Sequence, residues 1–363
     1  MNSIFLSYGS LITPLGTTVA ANFDSMKRGV CGIQNVATSG FNDENWPLGK
    51  INSIQGKDRY SELLKMLCKA LLSEHSADLF QAESTLFIVS STKADINMLP
   101  KDTFASTRSI LIDKLKLKND IVIISNACIS GVLAINTAAD YISSGKYKTV
   151  VVLGIDALSD FVVYGFQSLF ALSSEATIPF DKNRKGISIG EAAGAIIVSA
   201  DKLNETAFHV HYLGGASSND ANHISGPSRT GEGLYRSVSK TLLRSNVAAE
   251  DIDFISAHGT GTSYNDEMES IAFERLALNG TAINSLKGYF GHTLGAAGII
   301  ELLITMSMME NNLLLKSMGY GTPGTSKELN IVEQNCDKEI NIALKTASGF
   351  GGGNASVLIK KAI

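Results

Sequence analysis

The chain has 363 residues, 44% of them apolar, with a formal net charge of -4; that is larger than a usual single domain and excludes both disorder and a global attraction to nucleic acid or an anionic membrane. Its four cysteines, Cys31, Cys68, Cys128 and Cys336, form no CxxC pair, which argues against a zinc knot or a disulfide scaffold and for reduced thiols in the cytoplasm. The 33 glycines suit an α/β chain with many tight turns.

In chain order, the apolar stretch from Ile4 to Leu15 lacks a basic leader and is broken by Tyr8-Gly9-Ser10 and Pro14. It therefore reads as a strand over residues 3–7 and a turn, not a signal peptide. A helix is expected over residues 60–72 and strands over 86–90, 121–124, 149–154 and 195–199. The uncharged run from Ile121 to Ala139 nearly matches the length of a membrane span, but Ser125, Asn126, Ser130 and Asn136 interrupt it and make it a soluble core. The second half offers strands over residues 207–213, 252–257, 340–345 and 357–360, with helices over 233–245, 266–278 and 295–311. Alternating βα elements stated twice imply a largely parallel sheet in each half, with the halves 1–203 and 204–363 packed through central helices.

One segment organises this pattern. Residues 121–124 read as a strand buried on both faces, and from Val132 the apolar positions return at helical spacing. Cys128 falls between strand and helix. Free backbone N–H groups and the helix dipole at such a junction favour a thiolate, which makes Cys128 a candidate nucleophile. A buried structural cysteine is the competing reading.

Three later segments also place polar groups at strand or helix ends, where function concentrates. In Ile255-Ser256-Ala257-His258-Gly259-Thr260-Gly261-Thr262, a strand delivers His258 ahead of glycines and of threonines able to hydrogen-bond a ligand. In Lys287-Gly288-Tyr289-Phe290-Gly291-His292, a second histidine precedes a helix of small residues. Ser348-Gly349-Phe350-Gly351-Gly352-Gly353-Asn354 is a glycine-rich turn around one aromatic, able to present backbone N–H groups to an oxyanion. A structural histidine and an ordinary turn compete for each. His209 and His211 share one strand face but lack a third ligand, so no metal site is expected there.

Taken together, these segments resemble the β-ketoacyl-acyl-carrier-protein synthases of the thiolase-like superfamily, in their elongating type with one cysteine and two histidines. The resemblance covers nearly the whole chain: a cysteine at a strand-helix elbow, HGTGT, a lysine followed by GHTLGAAG, and GFGG. Between them Phe180-Asp181-Lys182-Asn183-Arg184-Lys185-Gly186 and Gly190-Glu191-Ala192-Ala193-Gly194 are similar to further family segments. The resemblance implies a thiolase-like fold of duplicated αβ halves in five α-β-α-β-α layers. It implies Cys128 as acyl acceptor, His258 and His292 as paired catalytic histidines, and Lys287 as the lysine that orients and polarises around His292. Asp266, Glu269 and Glu301 would brace the site, Thr260, Thr262 and Phe350 would meet substrate, and the N–H groups of Cys128 and Phe350 would form an oxyanion hole.

The activity so implied is decarboxylative condensation of malonyl-acyl-carrier-protein with an acyl group on Cys128, in fatty-acid or polyketide assembly. No cofactor or metal is needed, because loss of CO2 supplies the carbanion equivalent and two neutral imidazoles can stabilise the enolate. The implied partners are an acyl carrier protein and a second copy of the chain, or a related synthase subunit in a heterodimer. The rival reading is a non-catalytic partner subunit resembling a chain-length factor, which Cys128 counts against. Carrier docking is expected at Lys57, Arg59, Lys65 and Lys69, with Lys114, Lys116 and Lys118 as a second group. Ser348 and Ala192 depart from the family pattern, as does the stretch between Ser90 and Asp120, which leaves the acyl chain length open.

Overall fold

A helix that is apolar all round can be stable only where protein covers every face. The segment Ala297–Asn311 carries Glu301 and Glu310 as its only charges and is buried from Ala297 through Met309. Around it the computed structural model, which describes residues 3–204, 207–220 and 226–362, builds five layers.

The first half supplies strands β1 (Phe5–Ile12), β2 (Thr85–Ser90), β3 (Ile121–Ile124), β4 (Thr149–Asp156) and β5 (Ala192–Ser199), and the second supplies β6 (His209–Asn219), β7 (Phe254–Ser256), β8 (Ala282–Asn284), β9 (Ile342–Gly349) and β10 (Gly353–Lys361). They join in one ten-stranded sheet, ordered β8-β7-β9-β10-β6-β1-β5-β4-β2-β3. Reading outward from the centre, β1-β5-β4-β2-β3 repeats in β6-β10-β9-β7-β8. In both series the first two pairings are antiparallel and the last two parallel. The junction is short, Phe5–Ser7 against His209–His211.

The eight helices that matter for the site are α1 (Arg59–Glu74), α2 (Ala105–Leu115), α3 (Ser130–Ser143), α4 (Asp160–Ser168), α5 (Glu232–Ser245), α6 (Ser263–Arg275), α7 (Lys287–Phe290) and α8 (Ala297–Asn311). Helices α3 and α8 touch strands of both halves and form the middle layer, α1 packs with α2 outside the first half, and α5 packs with α6 outside the second. The middle layer is tight because two glycines meet. A Cβ added to Gly298 would lie 2.6 Å from the Val132 nitrogen, and one added to Gly131 would lie 2.9 Å from the Ile299 nitrogen. Among the described residues no helix is long and apolar enough to cross a membrane.

Three expectations need correction. The sheet is mixed, not largely parallel: β9 and β10 are joined by Phe350-Gly351-Gly352, too short for anything but an antiparallel return, with both glycines in the left-handed region at φ +83° and +78°. Strand β3 is not buried on both faces; among the described residues it is the edge strand, paired only with β2, and Val122 to Ile124 are half-buried. Tyr8-Gly9-Ser10 does not break the first strand. The register shifts there as a bulge, and β1 continues to Ile12, with Gly9 fitting where a Cβ would lie 2.6 Å from the Ala195 oxygen.

Candidate active site

Cys128 follows β3 and precedes α3, and the turn that presents it is strained. Ala127 sits at φ +44°, and Ser130 Oγ fastens the bend by donating to the Ala127 oxygen and accepting from the Asn126 nitrogen, both at 2.7 Å. A non-glycine residue in that region costs about 1–3 kcal/mol and persists only where its surroundings over-determine it. The result is a thiol at the floor of a cavity of about 710 Å³, lined also by His258, His292, Thr260, Thr262 and Phe350.

His258 arrives at the end of β7 and His292 from the turn after α7, and both are buried. Their rings stand edge to face, 5.1 Å between centroids at 82°. Each ring has its Nδ1 facing a donor: the Leu294 N–H at 3.2 Å for His292, and Lys287 Nζ at 3.3 Å for His258. A nitrogen that accepts carries no proton, so the neutral ring carries it on Nε2. The His292 Nε2, buried, has no hydrogen-bond partner among the described residues. Burial, and next the Lys287 charge, hold both imidazoles well below the usual histidine range. Two neutral N–H donors thus face the cavity that holds the thiol.

The acidic residues brace this arrangement through the backbone. Glu269, on α6, accepts the His258 and Gly259 N–H groups at 2.8 and 2.7 Å. Asp266, one turn earlier, accepts the Thr260 and Phe180 N–H groups at 3.0 and 2.7 Å and lies 3.6 Å from Arg184. Burial and the Asp266 charge push Glu269 up to about 7. Glu301 of α8 is ion-paired with Lys287 at 2.6 Å. Thr260 and Thr262 bond to each other at 2.8 Å, and Thr262 also caps α6, so they form one polar wall of the cavity. The Phe350 backbone N–H favours the charged form of the Cys128 sulfur, and the Phe350 ring stacks on Phe166, 5.5 Å between centroids.

The structure departs from expectation at three named groups. Burial pushes the Cys128 thiol up to about 12, against the opposing pull of Lys287 and the Phe350 N–H, so the elbow does not hold a standing thiolate. Lys287 hydrogen-bonds the ring and carbonyl of His258 and reaches His292 through its charge. Arg59 is not a surface residue: it is buried and ion-paired with Glu191, whose carboxylate also accepts the Ile51 and Leu158 N–H groups. Lys57, Lys65, Lys69, Lys114, Lys116 and Lys118 are exposed, but none lines the cavity. His209 and His211 lie at the sheet junction against Phe5 and take no part.

Other residues of the site drew no attention in the sequence. Asp156, buried at the end of β4, accepts the Gly295 N–H at 2.8 Å and pairs with Lys93 at 3.0 Å, which ties the turn after His292 to the first half. Lys345 lies fully buried in β9 and pairs with Glu301 at 2.5 Å; a lysine inside the run Ile342-Ala343-Leu344-Lys345-Thr346-Ala347 was the available signal. The cavity lining also carries two exposed aromatics, Phe170 at 95% and Tyr264 at 80%, beside the polar residues Lys185 and Asn265. The ligand atoms of Cys128, His258 and His292 lie within 4.8 Å of one another, a spacing that a soft metal ion would accept and that equally places two donors and a nucleophile around one thioester carbonyl.

The chain matches the family models for the beta-ketoacyl synthase N-terminal domain over residues 96–203 and the beta-ketoacyl synthase C-terminal domain over residues 210–320, together more than half its length. It is 33% identical, over 68% of its own length, to 3-oxoacyl-[acyl-carrier-protein] synthase 2 of Rhizobium meliloti (strain 1021), of which the match spans 62%. It is 32% identical to the polyketide biosynthesis malonyl-ACP decarboxylase PksF of Bacillus subtilis (strain 168), over 65% of this chain and 60% of that one. Among solved structures, a chain from the ketosynthase ApeO in complex with its chain length factor ApeC, from Xenorhabdus doucetiae, superposes with a TM-score of 0.90 at 23% identity, covering 99% of this chain and 98% of that one. The ishigamide ketosynthase/chain length factor gives 0.89 at 22%, covering all of both chains.

Proposed function

This chain belongs to the beta-ketoacyl synthase family of the thiolase-like superfamily, and from that premise we propose that it is an acyltransferase condensing an acyl group on Cys128 with malonyl-acyl-carrier-protein, in fatty-acid or polyketide assembly. The observation that carries this reading is the pair of neutral imidazoles, each left with its proton on Nε2 because its Nδ1 faces a donor, lining one cavity with a buried thiol.

In the first half-reaction the Cys128 sulfur attacks the carbonyl of an acyl thioester. Because burial holds the thiol protonated, its proton is given up as the carbon–sulfur bond forms and ends on the departing carrier sulfur, which leaves as a thiol. The tetrahedral oxyanion sits against the N–H groups of Cys128 and Phe350. In the second, the malonyl thioester carbonyl accepts hydrogen bonds from the Nε2–H groups of His258 and His292. The carbon–carbon bond to the carboxylate breaks, CO2 departs, and its electron pair becomes an enolate held by both donors. The enolate carbon attacks the acyl-Cys128 carbonyl, and the thiol is released with a proton. Lys287, Glu269 and Asp266 orient the histidines through side chain and backbone, and Thr260, Thr262 and Phe350 line the path of the arm that carries substrate.

The same reading includes a division into halves at residues 203 and 204, a cytoplasmic location, and a dimer formed at the exposed edge of β3, a homodimer in preference to a pair with a related subunit. Support for the dimer comes from β3 itself, four apolar residues with one sheet edge unpaired. Incubation with acyl- and malonyl-acyl-carrier-protein, followed by intact-protein mass and product analysis, tests the function. An acyl adduct on Cys128 and a β-ketoacyl product are expected; a chain that forms neither contradicts it.

A further inference from the structure

Lys345 is a charge buried in the interior of a strand. It sits in β9 opposite Ser256 of β7, among residues that are otherwise apolar or small, and is completely excluded from solvent. Burying an ammonium costs several kcal/mol unless it is fully paired, and a methionine would fill similar space without that cost. Its Nζ donates to the Ser256 and Ala257 oxygens, each at 3.1 Å, and is ion-paired with Glu301 Oε2 at 2.5 Å. The other Glu301 oxygen is already taken by Lys287. One buried carboxylate therefore holds two buried lysines, one on either side. Lys287 grips the chain at His258, and Lys345 grips the two residues before it.

Resting on the functional reading above, we propose that Lys345 is a positioning residue of the condensation, holding the Ser256–His258 backbone in register with α8 and placing a second positive charge beneath the two imidazoles. Neither Lys345 nor this double clamp touches substrate; the action is through His258 and His292. The charged groups facing these rings are Lys287 from α7, Lys345 from β9, Glu301 from α8, Glu269 and Asp266 from α6, and Cys128 ahead of α3; Asp156 from β4 reaches the same turn through Gly295. Of these groups the two lysines, with His292 acting on His258, are the charges that lower ring protonation, and burial in turn lowers the pKa of Lys345 itself against the pull of Glu301. Lys345, like Lys287, depresses the protonation of both histidines.

The test is Lys345→Met beside Lys345→Arg, each purified as the full chain and read in three ways. The first is NMR titration of the histidine rings, which needs no turnover. In Lys345→Met the His258 and His292 rings should take up protons at higher pH than in the parent, since a neighbouring cation has gone, while Lys345→Arg should stay near the parent. The second is malonyl-thioester decarboxylation, whose maximal rate should fall roughly tenfold in Lys345→Met, less than the ~100-fold cost of losing a direct donor, with its acid limb displaced the same way and KM little changed. The third is acyl loading of Cys128, which should survive. Unmoved ring titrations in Lys345→Met overturn the proposal, as does equal loss of loading and decarboxylation. If Lys345→Met does not fold, Lys345→Arg decides: parent-like titration and rate support a role for the charge, and displaced ones overturn it. A parent chain that never decarboxylates malonyl thioesters would defeat the functional reading, while the ring titrations would still judge Lys345.

Discussion

Lys287 Nζ lies 3.3 Å from His258 Nδ1, and both side chains are buried. An ammonium cannot accept, so the contact leaves His258 with its proton on Nε2, aimed at the cavity. The pH dependence follows. Because burial and Lys287 hold both imidazoles well below the usual histidine range, they remain neutral donors as the pH falls. Decarboxylation should therefore lose no rate to ring protonation down to below about pH 6.5, where an unperturbed histidine would already have taken a proton, so any step near pH 7 belongs to Glu269. A His258 or His292 ring that takes up its proton near the ordinary histidine value in an NMR titration would mean that the lysine does not control the ring.

Alkylation separates the four thiols. Cys31 and Cys336 are exposed, whereas Cys128 and Cys68 are buried and both pushed up to about 12. At neutral pH, iodoacetamide should label Cys31 and Cys336 first, and Cys128 should accelerate as the pH rises. An acyl-carrier thioester should reverse the preference and modify Cys128 alone, because the proposed oxyanion donors, the N–H groups of Cys128 and Phe350, meet the thiol there. Peptide mass mapping of both reactions checks the order, and rapid neutral alkylation of Cys128 would restore the standing thiolate.

Packing of the middle layer gives a stability prediction. A methyl on Gly298 would lie 2.6 Å from the Val132 nitrogen, so Gly298→Ala must part α3 from α8 and should cost about 1–3 kcal/mol. Gly280→Ala, where nothing lies within 4 Å of the added Cβ, should change stability by less than about 0.5 kcal/mol. Denaturant midpoints of the two variants make the comparison. Since α3 and α8 also set the distance between Cys128 and His292, condensation should fall with stability in the first variant only.

The edge strand predicts an assembly. Light scattering should give twice the 38.6 kDa of one chain, and Ile123→Lys on β3 should shift it toward a single chain by placing charge at an edge that would otherwise pair. A parent chain that is monomeric at micromolar concentration contradicts the dimer.

What was legible in the sequence, and what was not, divides by how far the controlling contact lies along the chain. Cys128, His258 and His292 stand out because the glycines and small residues that admit substrate are their immediate neighbours. Helix α1 was legible from its apolar spacing, yet Arg59 was placed at the surface because a charged residue on an amphipathic helix usually is; its partner Glu191 is 132 residues away. Lys345 was hidden for the same reason, since Glu301 and the β7 carbonyls come together only in the folded chain. The run at β3 reads as a central strand because an apolar run looks the same at the centre of a sheet and at its edge.

The most direct test of the central claim is to follow His258→Ala and His292→Ala through both half-reactions. Each variant should still accept an acyl group on Cys128, as seen by intact mass, while losing malonyl decarboxylation by about 100- to 1,000-fold, the usual cost of one oxyanion-type donor. Decarboxylation at the parent rate in both variants would contradict the account.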